Sequence, residues 1–180
     1  KIDYNDLIVG DKNAIMVAAR VLGYGKDYEF EYKGEKVSVD LSTLENREFD
    51  EKAITRGVNE FSYTLPSSGT IITYKLLTHK DEMAIDAEIK GLKKINKNSE
   101  AAVSTRMKHM ILSVNGDSEK KTIREFVDNY FLAVDARAFR KHVAVIQPDV
   151  DLNTMVEVNG GLEAIDIPIT VNFFWPDASI

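Results

Sequence analysis

The sequence predicts an α+β protein in which β-hairpins from the N- and C-terminal parts surround a central four-helix segment. Alternating apolar and polar residues mark both ends of the chain, as at Tyr28, Phe30 and Tyr32 and again at Ile165, Ile167 and Ile169. Between residues 85 and 146 the apolar residues instead recur three and four apart, the spacing of one helix face. Turn-forming glycine segments, Lys33-Gly34 and Asn159-Gly160-Gly161, interrupt the alternating stretches.

Taken in order, Asp11 is the expected cap of a helix from Asn13 to Leu22, ended by Gly23 and Gly25. Tyr28, Phe30 and Tyr32, then Val37 and Val39, form a hairpin turning at Gly34. Residues 41–58 are polar and irregular, with one helical turn near Leu44. A second hairpin pairs Phe61, Tyr63 and Leu65 with Ile72, Tyr74 and Leu76 around Pro66-Ser67-Ser68-Gly69. Thr78 and Asp81 read as a capping box with Asp in the place of the usual Glu.

The first helix of the middle segment carries Ile85, Ile89, Leu92 and Ile95, and Asn96 and Asn98 loosen its end. Val103, Met107, Met110, Ile111 and Val114 supply the facing stripe, stopped by Asn115-Gly116. A third helix starts at Ser118 and carries Ile123, Phe126, Val127, Tyr130 and Phe131. Asp135 caps a fourth, with Phe139, Val143 and Ile146 inward and Pro148 closing it. The last hairpin runs through Met155, Val156 and Val158, turns at Asn159-Gly160-Gly161, and returns through Ile165, Ile167, Ile169, Val171 and Phe173. Pro168 has no amide donor, so this strand is expected at an edge or with a bulge. The hairpins around Gly34 and Gly160 read as a degenerate pair.

The resulting division is 1–77 for the first helix and hairpins, 78–147 for the helical middle, and 148–180 for the last hairpin, which forms one compact unit with the N-terminal part. The 180 residues suit one domain, or one with an appended lobe. The balance of 23 basic and 29 acidic residues gives a net charge of −6, which disfavours nucleic-acid binding. Lys90, Lys93, Lys94 and Lys97 lie on the wet face of a helix and form no basic stripe. No apolar run approaches the length of a membrane span, and residues 1–30 lack a signal-peptide pattern, which points to the cytoplasm.

The chain has no cysteine, which removes disulfides, thiolate metal sites and cysteine nucleophiles together. His79, His109 and His142 sit apart with no ligand spacing, and they read as surface or half-buried residues. Asp149, Asp151 and Asn153 imitate the start of a calcium loop but lack its later Gly and Glu. No nucleophile elbow or phosphate loop is present. The residues therefore point away from an enzyme and require neither cofactor nor metal.

Several phrases, in order along nearly the whole chain, carry a resemblance. They are Val9-Gly10-Asp11-Lys12, the run from Ala19 to Tyr28, Val39-Asp40-Leu41-Ser42, Asn59-Glu60-Phe61, Leu65-Pro66-Ser67-Ser68-Gly69 and the run from Leu76 to Glu82. Val114-Asn115-Gly116, Val134-Asp135-Ala136-Arg137 and Phe173-Phe174-Trp175-Pro176-Asp177 complete the set. Together they resemble the T4-type baseplate hub proteins of contractile-tail phages. Relatives often carry Cys-x-x-Cys pairs at two hairpin tips in a zinc-ribbon-like arrangement. The corresponding tips here read Tyr32-Lys33-Gly34-Glu35 and Val158-Asn159-Gly160-Gly161, so structural zinc does not carry over.

The resemblance implies a non-catalytic structural part in the hub region of a tail baseplate. Its partners would be other hub and wedge proteins, with multiple copies in a symmetric assembly, located in the virion and assembled in the host cytoplasm. A non-virion assembly chaperone is the alternative within that biology, and a cell-wall-degrading baseplate enzyme is the alternative of another class. The expected partner surface is Phe174, Trp175, Pro176 and Asp177. On strict alternation Phe173 faces the core and Phe174 the opposite side, next to the only tryptophan. A local bulge that turns Phe174 inward, making the tail core, is the competing arrangement.

Overall fold

The computed structural model describes residues 3–95 and 102–174, except the side chains of Ile95 and Val171. Its α+β chain divides into two compact units: Lys1–Val9 with Glu48–Gln147, and Gly10–Arg47 with Pro148–Ile180. Residues 48–77, with the second hairpin, are thus grouped with the helical middle, while the first and last hairpins share the other unit.

In the first unit, β3 (Phe61–Thr64), β4 (Ile71–Tyr74) and β5 (Ile111–Val114) form an antiparallel sheet in the order β3-β4-β5. Helices α2 (His79–Ile95), α3 (Ala102–Met110), α4 (Lys120–Glu125) and α5 (Ala133–Ile146) accompany it. Ile72, Tyr74 and Leu76 are buried on one face, as the alternation predicts, in one cluster with Ile85, Met107, Met110, Phe139, Val143 and Ile146. Ile89 is half-buried against the same cluster. Burial of these side chains in one place is the main stabilising term, at roughly 1.5–3 kcal/mol for each large apolar side chain fully removed from water.

The expected helical stripe through Val114 is corrected by the structure. The chain leaves α3 at Met110 and becomes β5, pairing Ile72 with Val114 and Thr73 with Ser113. Asn115 and Gly116 both have positive φ and form a tight turn, closed by a bridge between Val114 and Asp117, and do not stop a helix. Asn-Gly is the preferred pair for such a turn because both positions require φ > 0.

Two residues assigned to core stripes are also exposed. Val103 lies in the first turn of α3 and is 49% exposed, and Tyr130 is 63% exposed. Tyr130 ends a π-helical turn, Phe126–Tyr130, in which the Phe131 N–H donates to the carbonyl five residues back at Phe126. The wider turn takes Tyr130 out of the three-and-four spacing that the stripe assumes. The third helix begins at Lys120, two residues after Ser118. The fourth begins at Ala133, so Asp135 lies in its first turn and is not its cap.

In the second unit, α1 (Val9–Tyr24) precedes two hairpins, β1 (Asp27–Tyr32) with β2 (Glu35–Asp40) and β6 (Asn153–Val158) with β7 (Gly161–Asp166). Asp11 is inside α1, which starts at Val9, so it does not cap the helix. At the other end Gly25, at φ +86°, donates to the Val21 carbonyl and closes α1 as expected. Gly23 is helical. Each hairpin has six paired positions around a two-residue turn with positive φ at both residues, Lys33-Gly34 and Asn159-Gly160.

The long final strand is shorter than the alternation predicts. β7 stops at Asp166, two residues before Pro168, and Val171–Phe174 forms a helical turn, α6. Val17, Tyr28, Val37, Val39, Leu41, Val156, Val158, Ile165, Ile167 and Phe173 are the core of this unit.

Candidate functional site

Several described residues within the phrases that carry the resemblance form caps, turns and staples. Asp135 is fully buried, and its carboxylate accepts the backbone N–H groups of Ser67 (2.8 Å) and Ser68 (3.0 Å). It thereby joins the Leu-Pro-Ser-Ser-Gly turn to the start of α5. Burial alone would raise this carboxyl, yet the bonds from Ser67 and Ser68 hold it below the usual range. Asn59 makes a two-way clamp on Leu76, donating to its carbonyl (2.9 Å) and accepting from its N–H (2.8 Å). Asn115 does the same to Ile71, through its side-chain oxygen (2.9 Å) and its backbone N–H (2.7 Å). Thr78 and Asp81 form the reciprocal cap read from the sequence, at 3.0 and 3.3 Å.

Arg20 is buried and donates to the carbonyls of Gly25 (2.9 Å) and Asp27 (3.1 Å), with its guanidinium beside the rings of Tyr24 and Tyr28. Asp40 takes Lys26 at 2.6 Å and the Ser42 N–H at 2.9 Å, and these bonds bring its carboxyl down to about 2. These are residues that specify local geometry.

Phe173 is fully buried, edge-on to Tyr28 at 4.9 Å, and the Tyr28 hydroxyl donates to the Pro168 carbonyl at 3.0 Å. Phe174 is half-buried against the same core, edge-on to Phe173 at 5.1 Å. The expectation that alternation turns these two rings to opposite faces is corrected, because successive residues in a helical turn differ by about 100° and not by the 180° of a strand. Trp175, Pro176 and Asp177 lie outside the described residues, as do Asn96, Lys97 and Asn98.

The two hairpin tips are tied by polar contacts. The Lys33 ammonium pairs with Glu163 at 2.6 Å, and the Asn159 N–H donates to Glu35 at 3.1 Å. Among the described residues, no group of three His, Asp or Glu could hold a metal ion. Asp149 receives Asn13 and the Val150 N–H, and Asp151 pairs with Arg47, so the pseudo-calcium run is engaged in local structure. Each histidine is half-buried and has an aromatic or carboxylate neighbour: His79 at Tyr4, His109 at Glu88 (2.9 Å), His142 at Tyr74 (2.7 Å) and Tyr63. Burial holds the His142 imidazole below its ordinary pKa and pushes the Tyr74 phenol up to about 12.

Two concave surfaces have no counterpart in the sequence reading. In the second unit, an apolar groove of about 460 Å³ runs along α1, lined by Ala14, Val17, Val21, Leu22, Leu44 and Val150 among others. Leu22 stands 88% exposed at its border, with Ile15 and Tyr24 also exposed on this helix. In the first unit, a cleft of about 340 Å³ is lined by cationic side chains over an apolar floor. The first could have been found from α1 itself, whose apolar residues outnumber what one buried face needs. The second gathers residues from 75 to 124 and leaves no local pattern to find. No family model, curated protein or solved structure matches this chain.

Proposed function

We propose that this chain is a structural component of a contractile-tail phage baseplate, placed in the hub region and acting through protein–protein contacts. The observation that supports it is the ordered set of phrases from Val9-Gly10 to Phe173-Phe174-Trp175-Pro176-Asp177, in which Asn59, Asp135 and Phe173 act as clamp, turn partner and core anchor of this fold. Shared fold-specifying residues, in one order, support a shared scaffold. The apolar groove of α1 gives the scaffold a surface for a neighbouring baseplate protein, because covering the exposed Leu22 and the apolar hollow beside it removes apolar surface from water. Among the described residues no helix is long and apolar enough to cross a membrane.

Mass spectrometry of purified particles tests the reading. Stoichiometric presence supports a structural member; presence only in assembly intermediates makes the chain an assembly chaperone. Turnover of cell-wall glycan by the purified protein would replace both with an enzyme. Leu22→Lys should leave stability within about ±0.5 kcal/mol, as for other exposed sites, and reduce incorporation into baseplates. Normal incorporation would move the contact surface away from α1.

A further inference from the structure

We infer that the cleft of the first unit is a docking site for an acidic side chain on a peptide segment of a partner protein. The carboxylate would meet the cations, and the apolar residues beside it would cover the floor. The cleft lies between the end of β4, the α3–β5 junction and α4. Lys75, Lys108, Lys120 and Arg124 face a single lining carboxylate, Asp81, and His109 completes the wall. Ile111, Leu112 and Ile123 make the floor. Its volume, about 340 Å³, is at the small end of ligand pockets and suits one side chain with its neighbours better than a folded surface.

Three of the four cations are held in place and keep spare donors. Lys75 gives one bond to Asp81 (2.7 Å), Lys108 pairs with Asp128 (2.6 Å), and Arg124 grips Glu88 with two bonds (2.9 and 3.1 Å). An ammonium has three donors and a guanidinium five, so each retains N–H groups for water or a ligand. Lys120 has no carboxylate partner among the described residues. A carboxylate entering here meets Lys75, Lys108 and Arg124 already held by their ion pairs, which lowers the entropy cost of binding, and Lys120 free to pair with it.

The charge of the chain is also unevenly shared. The second unit holds 13 acidic and 6 basic residues, net −7, whereas the first holds 16 acidic and 17 basic, net +1. The cleft therefore sits in the part of the sequence whose own charge does not repel an anion. A free phosphate would satisfy the cations and leave the floor uncovered, which is why the geometry favours a peptide.

The test uses the full, isotope-labelled chain, titrated by NMR with a Gly-Leu-Asp-Leu-Gly peptide, its Asn analogue, and inorganic phosphate at matched ionic strength. The Asp peptide should give saturable shifts at residues 75, 108–112 and 118–124, with the Asn analogue at least about tenfold weaker, the equivalent of roughly 1.4 kcal/mol. Lys120→Gln should weaken the Asp peptide several-fold, and Lys120→Glu more, with both variants keeping the wild-type thermal midpoint. Equal binding of the Asp and Asn peptides, shifts elsewhere, or phosphate binding as tightly as the peptide would each overturn the proposal. The experiment needs no phage particle, so its failure and that of the baseplate reading are distinguishable.

Discussion

Replacing Gly10 by Ala should destabilise the protein, against the ordinary rule for a helix. Gly within a helix normally costs roughly 0.5–1 kcal/mol relative to Ala, so most such replacements stabilise. At Gly10 a methyl carbon would stand 1.8 Å from the Pro148 carbonyl oxygen, 2.7 Å from its carbon and 2.9 Å from the Asp149 Cα. An ordinary carbon–oxygen contact is no shorter than about 3.3 Å. The obstacle is backbone, and it is anchored: the Asp149 carbonyl accepts the Arg47 N–H at 2.8 Å, its carboxylate accepts Asn13 at 3.1 Å, and Asn46 bridges Val150. Relief of about 1.5 Å therefore requires breaking these bonds or lifting α1, at an overpacking cost of about 1–3 kcal/mol or more. Gly23 is the internal control, since the same methyl there meets nothing within 4 Å. Urea denaturation, followed by far-UV circular dichroism and by hydrogen exchange of amides in residues 10–47 and 148–174, should show opposite signs. Gly23→Ala should gain up to about 1 kcal/mol, and Gly10→Ala should lose about 1–3 kcal/mol. A Gly10→Ala protein as stable as the control would mean that the Gly10–Pro148 approach is not as close as described.

Phe173→Ala should cost about 3–5 kcal/mol as a fully buried aromatic, and Phe174→Ala distinctly less because its ring is half exposed; equal losses in chemical denaturation would refute that ordering. Asp135→Asn keeps the shape but halves the acceptor capacity facing Ser67 and Ser68, so the thermal midpoint should fall by several degrees, whereas Ser68→Ala, which keeps the backbone N–H and loses only the hydroxyl's bonds to Asp135 and Thr70, should lower it less. His142 is held neutral by burial, with its pKa lowered from 6.5. Its stabilisation is therefore complete above about pH 6.5, where the unfolded chain is also neutral, and declines as pH falls towards the lowered folded-state value. Urea midpoints between pH 7.5 and 5.5 should show a fall that His142→Gln flattens; an unchanged slope would place the ring in water.

The sequence made some elements legible because they are written locally. The Thr78–Asp81 cap, the turns at Gly34 and Gly160, and the alternation of Ile72, Tyr74 and Leu76 each depend on residues a few positions apart. What was missed depends on context from farther away. Ile111 and Val114 fit a helical stripe when read from Val103, and only pairing with β4 makes 111–114 a strand. Asp135 stands where a cap would, but its acceptors serve a turn 67 and 68 residues earlier. The missing amide at Pro168 marks an interruption, but the apolar alternation continues unchanged to Phe173 and does not show that the strand ends at Asp166 and gives way to a helical turn. The cationic cleft was invisible for the same reason as any site assembled from dispersed residues.

The placement of the ordered phrases also limits what a resemblance can transmit. Asn59, Asp135, Asn115, Arg20 and Phe173 act on their own backbone and core, so a relative keeping them would keep these hairpins and helices whatever it touched. Those phrases contribute least to the part of the α1 groove lined by Ala14, Val17, Leu44 and Val150 and to the walls of the cleft around Lys108, Lys120 and Arg124. The hairpin tips make the same point from the other side. Lys33–Glu163 and Glu35–Asn159 tie the two turns together, with exposed ion-pair and backbone bonds worth little individually. Most of that hold therefore comes from the strands behind them, where Tyr28, Val37, Val39, Val156, Val158 and Ile165 are buried together. Substituting Glu163 should loosen the tips and leave this core intact, whereas substituting Val158 should unfold the hairpin pair, a contrast that hydrogen exchange can read at single residues.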